Sequence, residues 1–295
     1  MTALPARQLS VVVPVYRATL DPNERISLES AFRVLGGHHL VMVKPEGLDT
    51  SEVEWRYRFG GVETFDPGYF ASIQGYNRLL LSTGFYQRFL ASRYLLVCQL
   101  DVFVFRDDLA PWVERGYDYV GAPWVSGTAL SLRIHKLRMQ LGKLLPGGRD
   151  KVHAYETRDR VGNGGFSLRS VATHHRLSIA MRDAIDHYLR NQGTHHFHED
   201  VFWSIEPSRR GFAHRTPPLE EALSFSWDIN PARLHRLSGG RLPMAAHGWY
   251  KRRQLAFWEP HVAAARAAAE APGGAAGLGP PFRDPPAAGR PPPRP

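Results

Sequence analysis

Arg93 to Asp108 reads R-Y-L-L-V-C-Q-L-D-V-F-V-F-R-D-D. Its first half, Tyr94 to Leu100, is almost wholly apolar, too short to span a membrane and bounded by charge on both sides. Such a run reads as a strand buried on both faces, in the middle of a parallel sheet. It ends at Gln99-Leu100-Asp101, and a second apolar run, Val102 to Phe105, is closed by Arg106-Asp107-Asp108. A carboxylate at the C-terminal end of a buried strand is costly unless it meets a metal, a cation or ligand hydroxyls. Open α/β sheets bind their ligands in that place. Capping the following turn is the plain alternative for Asp101. The ligand-facing role is the one around which most of the chain can be arranged.

Composition narrows the classes. At 295 residues the chain can bury a sizeable core as one large domain or two small ones. No apolar run approaches the roughly 18 residues of a transmembrane helix. The opening M-T-A-L-P-A-R-Q-L-S lacks the apolar core of a signal peptide. A single cysteine, Cys98, lies inside the buried strand, which excludes a disulfide framework and suits a reducing compartment. A cytoplasmic protein is expected. The net charge of +9 points to an anionic partner, with a merely solubilising surface as the alternative. No nucleic-acid-binding motif is present.

Upstream, Gln8 to Tyr16 (Q-L-S-V-V-V-P-V-Y) reads as a first parallel strand. Arg17 to Arg25 is polar and turn-rich, Ile26 to Leu35 has helical spacing before Gly36-Gly37, and His39 to Lys44 is a second strand. Strand, helix and strand with short connections make a right-handed βαβ unit. Neither G-x-G-x-x-G after the first strand nor G-x-x-x-x-G-K-[ST] occurs, so dinucleotide oxidoreductases and P-loop NTPases are poor fits. Tyr69 to Phe89 reads as helical, with Phe70, Ile73, Tyr76, Leu80, Phe85 and Phe89 toward the core and Gly84 as a possible divider. Arg78 either points at the site or is an ordinary exposed helix arginine.

Downstream, Leu109 to Arg115 is a short helix, and Tyr117 to Val120 a strand that exits through Gly121-Ala122-Pro123-Trp124. Thr128 to Leu145 is amphipathic with a basic remainder, either a membrane-surface or acceptor-docking helix or an ordinary core-facing one. Arg160 to Arg169 (R-V-G-N-G-G-F-S-L-R) combines glycines that allow close backbone approach with an alternating, strand-like end. It is either a plain turn or a backbone face held against a flat polar ligand such as a sugar. Val171 to Leu189 is a helix leading to His195-His196-Phe197-His198-Glu199-Asp200. Adjacent side chains on an extended segment diverge, which argues against a histidine metal centre there. A carboxylate base at Glu199 or Asp200, positioned by the apolar Val201-Phe202-Trp203, fits better. His247 lies in a short apolar, small-residue segment. From about Ala271 the chain turns to Pro, Gly, Ala and Arg, a composition expected to be disordered.

In order, the runs Q-L-D-V-F-V-F, G-Y-D-Y-V-G-A-P-W, G-N-G-G-F-S-L-R and H-E-D-V-F-W, behind a V-V-V-P-V-Y strand, resemble GT-A-type nucleotide-sugar glycosyltransferases. More narrowly they resemble a bacterial family of largely uncharacterised glycosyltransferases, over roughly residues 8 to 255. The resemblance implies an α/β, GT-A-like (Rossmann-like) fold: a mixed, mostly parallel central sheet flanked by helices, in one domain over residues 1–260. Residues 261–295 would form a helical end and the Pro/Gly/Ala-rich tail. It also implies transfer of a sugar from a nucleotide-diphosphate sugar to a hydroxyl of a glycan or other acceptor, in surface glycan synthesis. The location would be cytoplasmic, with peripheral contact at the inner face of the membrane.

Residue by residue, the D-x-D motif of such enzymes falls on Gln99-Leu100-Asp101. Gln99 would bond the ribose, and Asp101 with the late histidine His247 would hold Mn²⁺ or Mg²⁺. The glutamine departs from the motif and puts metal dependence in question. Pro14, Tyr16, Glu46 and Asp49 would frame the nucleotide base, with Arg78 also on the donor side. Asn163, Gly164 and Gly165 would lie along the sugar. Asp200, beside Glu199, matches the base of inverting members. Trp124, Phe166, Trp203 and Trp249 are assigned to the acceptor. Two rivals stand: a nucleotidyltransferase, whose basic glycine-rich loop Arg17-Ala18-Thr19-Leu20 does not supply, and a non-catalytic basic glycan- or membrane-associated protein that keeps the fold alone.

Overall fold

The structure is a computed structural model that describes residues 7–125, 157, 159–193 and 195–271. In chain order its strands are β1 (Arg7–Pro14), β2 (His39–Pro45), β3 (Gly61–Phe65), β4 (Ser92–Cys98), β5 (Val102–Val104), β6 (Tyr119–Val120), β7 (Ala122–Pro123), β8 (Val161–Gly162), β9 (Phe166–Ser170), β10 (Ser226–Trp227) and β11 (Ala245–His247). Six of them form the central sheet in the order β3-β2-β1-β4-β9-β6. β3, β2, β1 and β4 run parallel, whereas β9 is antiparallel to both β4 and β6. The protein is thus α/β, with a largely parallel mixed sheet flanked by helices and two small extra sheets, β10-β11-β5 and β7-β8.

Period-two burial on β1 and β4 divides the core. Val11, Val13, Leu96 and Cys98 pack on one face with Leu28 and Phe32 of the helix Pro22–Leu35. Val12, Leu95 and Val97 pack on the other with Leu79, Tyr86, Val201 and Trp203. Successive side chains of a strand point to opposite faces, so a continuous apolar run is what a doubly covered strand requires. The Arg93–Asp108 reading is therefore right about burial. It needs one correction, because β4 has a parallel neighbour on one side and an antiparallel one on the other.

Other boundaries shift for local reasons. The first helix begins at Pro22 rather than Ile26. Asp21 accepts from the Asn23 and Glu24 amides while the Glu24 carboxylate accepts from the Asp21 amide, and Pro22 has no amide to leave unpaired. The expected helix from Tyr69 to Phe89 divides into Ile73–Leu81 and Thr83–Gln87 at Ser82, not at Gly84. The Ser82 hydroxyl closes the first helix on the Leu79 carbonyl and caps the second by accepting from the Phe85 amide. Ile73, expected in the core, is 65% exposed. The helix over Val171 to Leu189 likewise breaks at Met181, into Val171–Ala180 and Arg182–Asn191.

The run Val102 to Phe105 does not extend the central sheet. It forms β5, antiparallel to β11, and a third apolar cluster of Phe103, Trp227, Trp249 and Trp258 covers that small sheet. The helix Leu255–Glu270 crosses the expected boundary at residue 260 and buries both Trp258 and Val262. The amphipathic stretch Thr128 to Leu145 and the tail beyond Ala271 lie outside the described residues. No helix among the described residues is long and apolar enough to cross a membrane.

Leu96 has no exposed surface on the central strand. Leu96→Ala is expected to destabilise the fold by about 2–5 kcal/mol, since deletion of buried methyls leaves a cavity; urea denaturation measures it.

Candidate functional site

β1 leads to β2 on one side, while β4 pairs on its other side, so the strand order reverses between β1 and β4. A crevice opens outside the carboxyl ends of strands at such a point. Here it is a cavity of about 600 Å³, entered past Pro14 and Tyr16 from β1 and past Gln99, Leu100 and Asp101 from β4.

Backbone pairing sets the position of Asp101. The Gln99 amide donates to the Gly165 carbonyl at 2.9 Å, the Val102 amide to the Gln99 carbonyl at 3.1 Å, and the Gly248 amide to the Asp101 carbonyl at 2.8 Å. Register between β5 and β11 sets Val102 opposite His247. Asp101 Oδ1 then lies 3.1 Å from His247 Nε2, and its Oδ2 lies 3.0 Å from Lys251 Nζ. Burial alone would raise the Asp101 carboxyl, but His247 and Lys251 override it and hold it well below the usual carboxylate range. Burial alone would lower His247, but the carboxylates of Asp101 and Asp228 outweigh it and raise the imidazole to about 9. As an imidazolium it donates Nδ1–H to Asp228 Oδ1 at 2.8 Å. Asn163, left-handed at φ 67°, accepts from the Gly165 amide through Oδ1, and its amide nitrogen lies 2.9 Å from His247 Nδ1.

On the opposite wall, Arg169 and Glu199 form a fully buried pair. Arg169 Nη1 donates to Glu199 Oε2 at 2.8 Å and Nη2 to Oε1 at 3.0 Å. Further N–H groups reach Tyr86 Oη and Ser167 Oγ, each at 3.0 Å. The Glu199 amide, at the start of the helix Glu199–Arg209, donates to Asn77 Oδ1 at 3.2 Å. Asp200 follows directly, lines the cavity, and is raised to about 7 by burial and by the negative charge of Glu199. Gly164 and Gly165 run between the two charge systems. A Cβ on Gly164 would collide with the Glu199 carboxylate, and one on Gly165 with the His247 ring and, at 2.9 Å, with Gln99 Oε1.

The structure thus brings together Pro14, Tyr16, Gln99, Asp101, Asn163, Gly164, Gly165, Glu199, Asp200 and His247, all expected from the sequence. Glu199 needs correction as a base, because both its oxygens are engaged by Arg169. Glu46 and Asp49 are exposed away from the cavity, and Asp49 caps the next helix by accepting from the Ser51 amide. Arg78 donates to the Gly68 carbonyl outside the site. Phe166, Trp203 and Trp249 belong to the three apolar clusters and are at most 4% exposed, so they present no face to an acceptor. Trp124 is half-buried over Gly162, also outside the cavity lining.

The cavity adds Tyr76, Asn77, His198, Tyr250 and Lys251, with Asp228 and Arg169 behind its walls. Arg169 closes a motif already singled out, but Lys251 sits in Lys251-Arg252-Arg253, which reads as a solvated charge run.

Asp101 and His247 would hold a divalent cation only once the imidazolium gives up the Nε2 proton that now faces Asp101 Oδ1 at 3.1 Å. Asp228 orients the far ring nitrogen, as carboxylates behind ligand histidines do. No group of three or more His, Cys, Asp or Glu suited to a metal ion occurs among the described residues, so further ligands would come from a bound anion or water.

These features define an open α/β protein with a polar crevice where its parallel strands diverge. Residues 60–247, more than half of the chain, match the family described as "Protein of unknown function (DUF5672)", and the chain belongs to that family. No curated protein matches it. The matched span holds Gln99, Asp101, Arg169, Glu199, Asp200 and His247, while Pro14, Tyr16 and Lys251 fall outside it.

Gly165→Ala is expected to destabilise the fold by about 1–3 kcal/mol through overpacking against His247 and Gln99. Gly84→Ala, with nothing within 4 Å of the added methyl, is expected to be neutral or to stabilise by roughly 0.5–1 kcal/mol. Paired thermal melts check the contrast.

Proposed function

We propose that this protein is a GT-A-like glycosyltransferase that moves a sugar from a nucleotide-diphosphate sugar to an acceptor hydroxyl, with inversion. The observation that carries the reading is a carboxylate raised to about 7, Asp200, facing a crevice of about 600 Å³ at the reversal point of a largely parallel sheet. A cavity of that size suits a small polar ligand. Three of the motifs that resemble glycosyltransferases, at Gln99–Asp101, Asn163–Gly165 and His198–Asp200, line this crevice, whereas the Gly116–Trp124 motif does not.

The residues divide the work. Tyr16 and Tyr250 are aromatic residues of the cavity lining, and Gln99 and Asp101 offer an amide and a carboxylate for ribose hydroxyls. Among the described residues Lys251 is the one lysine or arginine that lines the cavity. Gly248, at φ 62°, leaves the space in which the Lys251 stem folds back toward Asp101: an added Cβ would lie 2.7 Å from its Cδ and 2.9 Å from Nζ. That ammonium, 3.0 Å from Asp101 Oδ2, would pair with a diphosphate entering the crevice. A divalent cation held by Asp101 and His247 would supply further neutralisation of the departing diphosphate. Asp200 takes the acceptor proton as that oxygen attacks the anomeric carbon and the bond to the diphosphate breaks. Attack on the face opposite the leaving group inverts the centre.

Thermal-shift assays against UDP-, GDP-, CMP- and dTDP-sugars, with and without Mn²⁺, test the reading, since a ligand of the folded state raises the melting temperature. One nucleotide is expected to stabilise the protein; silence from all of them would overturn the assignment. Lys251→Met should weaken binding of that nucleotide by about tenfold or more, the scale of one hydrogen bond to a charged group. Asp200→Asn should cut turnover by about 10²–10⁴-fold while donor binding persists.

Turnover should also fall as pH drops below about 7, where Asp200 gains its proton. Between the ordinary value of 3.8 and about 7 the folded state holds that proton more tightly than the unfolded chain. Stability therefore falls as pH rises through that window, and denaturation midpoints of Asp200→Asn should lack this fall.

A further inference from the structure

We propose that Arg169 and Glu199 act as a positioning pair for Asp200: their buried bidentate salt bridge seats the start of the helix so that the next carboxyl faces the cavity beside the paired Glu199 carboxylate. The inference rests on the assignment of Asp200 as the base.

Three observations carry it. Arg169 has no exposed surface, and its guanidinium is held from several sides, by Ser167, by Tyr86 and by the ring of Tyr119 at 5.5 Å. It is therefore a rigid anchor set into β9, the strand between β4 and β6. Glu199 is seated on that anchor by both carboxylate oxygens and by its own amide on Asn77. Gly164 passes where any side chain would strike the Glu199 carboxylate, so the loop is shaped to the seated pair.

A buried ion pair is a poor device for stability alone, because apolar residues of equal volume often do as well. Its effect on a neighbour is another matter. Asp200 is one peptide unit away, and its own Oδ1 accepts from the Val201 amide at 2.8 Å. The charged and titratable groups acting around it are Glu199, Arg169, Asp228, Tyr119, Tyr188 and His198. Glu199 is the largest of the charges, and it disfavours a second carboxylate. Seated by Arg169, it keeps that influence without competing for the substrate.

The test is the pH profile of transfer, together with the titration of the Asp200 carboxyl followed by ¹³C NMR in the ligand-free protein. In Glu199→Gln the neighbouring negative charge is gone, so Asp200 should ionise at lower pH and the acid limb of the profile should move in the acid direction. Arg169→Met with Glu199→Leu removes both charges at similar volume; since Glu199 acts on Asp200 more strongly than Arg169 does, a smaller shift in the same acid direction is expected if the single variant fails to fold. A drop in melting temperature with the acid limb and the NMR titration unmoved would mean a purely structural pair and overturn the inference. If no donor supports transfer, the glycosyltransferase reading fails by itself. The NMR titration then decides, with an unchanged Asp200 overturning the electrostatic coupling and an acid shift supporting it.

Discussion

The backbone at Gly164-Gly165 passes between two buried charge systems, Arg169–Glu199 on one side and His247 with Asp101 on the other. Neither system could close around a side chain at those positions. Gly165 also closes the turn into β9, its amide donating to the Asn163 Oδ1 on one side and its carbonyl accepting from the Gln99 amide on the other. A single short loop therefore sets the spacing of both walls of the crevice, and the rest of the architecture serves to hold its ends. β4 supplies one end at Cys98 opposite Phe166, and β11 supplies the histidine.

Charge is arranged differently inside and outside. The chain carries a net +9, yet the crevice holds its cations and carboxylates in matched groups: Lys251 and His247 with Asp101 and Asp228, and Arg169 with Glu199. Among the described residues Asp200 has no salt bridge of that kind, and it is the carboxyl pushed upward. Opposite directions of shift on carboxylates lining one cavity are the mark of different tasks. Asp101 is held ionised by His247 and Lys251, whereas Asp200 can exchange a proton near neutral pH.

The small sheet β10-β11-β5 extends this logic. It is too short to stand alone, and Phe103, Trp227, Trp249 and Trp258 give it an apolar cover. That aromatic cluster explains why tryptophans near the functional motifs face inward. Their area is more effective in fixing β11, and with it His247, than at a wet rim.

Much of this was legible in the chain alone. Apolar runs at Val11 to Val13 and Tyr94 to Cys98 determined buried strands, because only a doubly covered strand tolerates no polar face. The Asp101 carboxylate at a strand end, the Gly/Asn segment, the Glu-Asp pair and His247 determined the main contents of the site, since those residue types are costly or conformationally special wherever they fall. What only the tertiary structure decided was partnership. Glu199 and Asp200 are adjacent and chemically alike, and they differ because Arg169, thirty positions away on β9, reaches one and not the other. Lys251 enters the crevice because a left-handed glycine folds its stem inward, and Phe166, Trp203 and Trp249 leave it because the sheet faces needed filling. Local sequence specifies what a residue can do, and packing across distant segments selects which of those capacities is used.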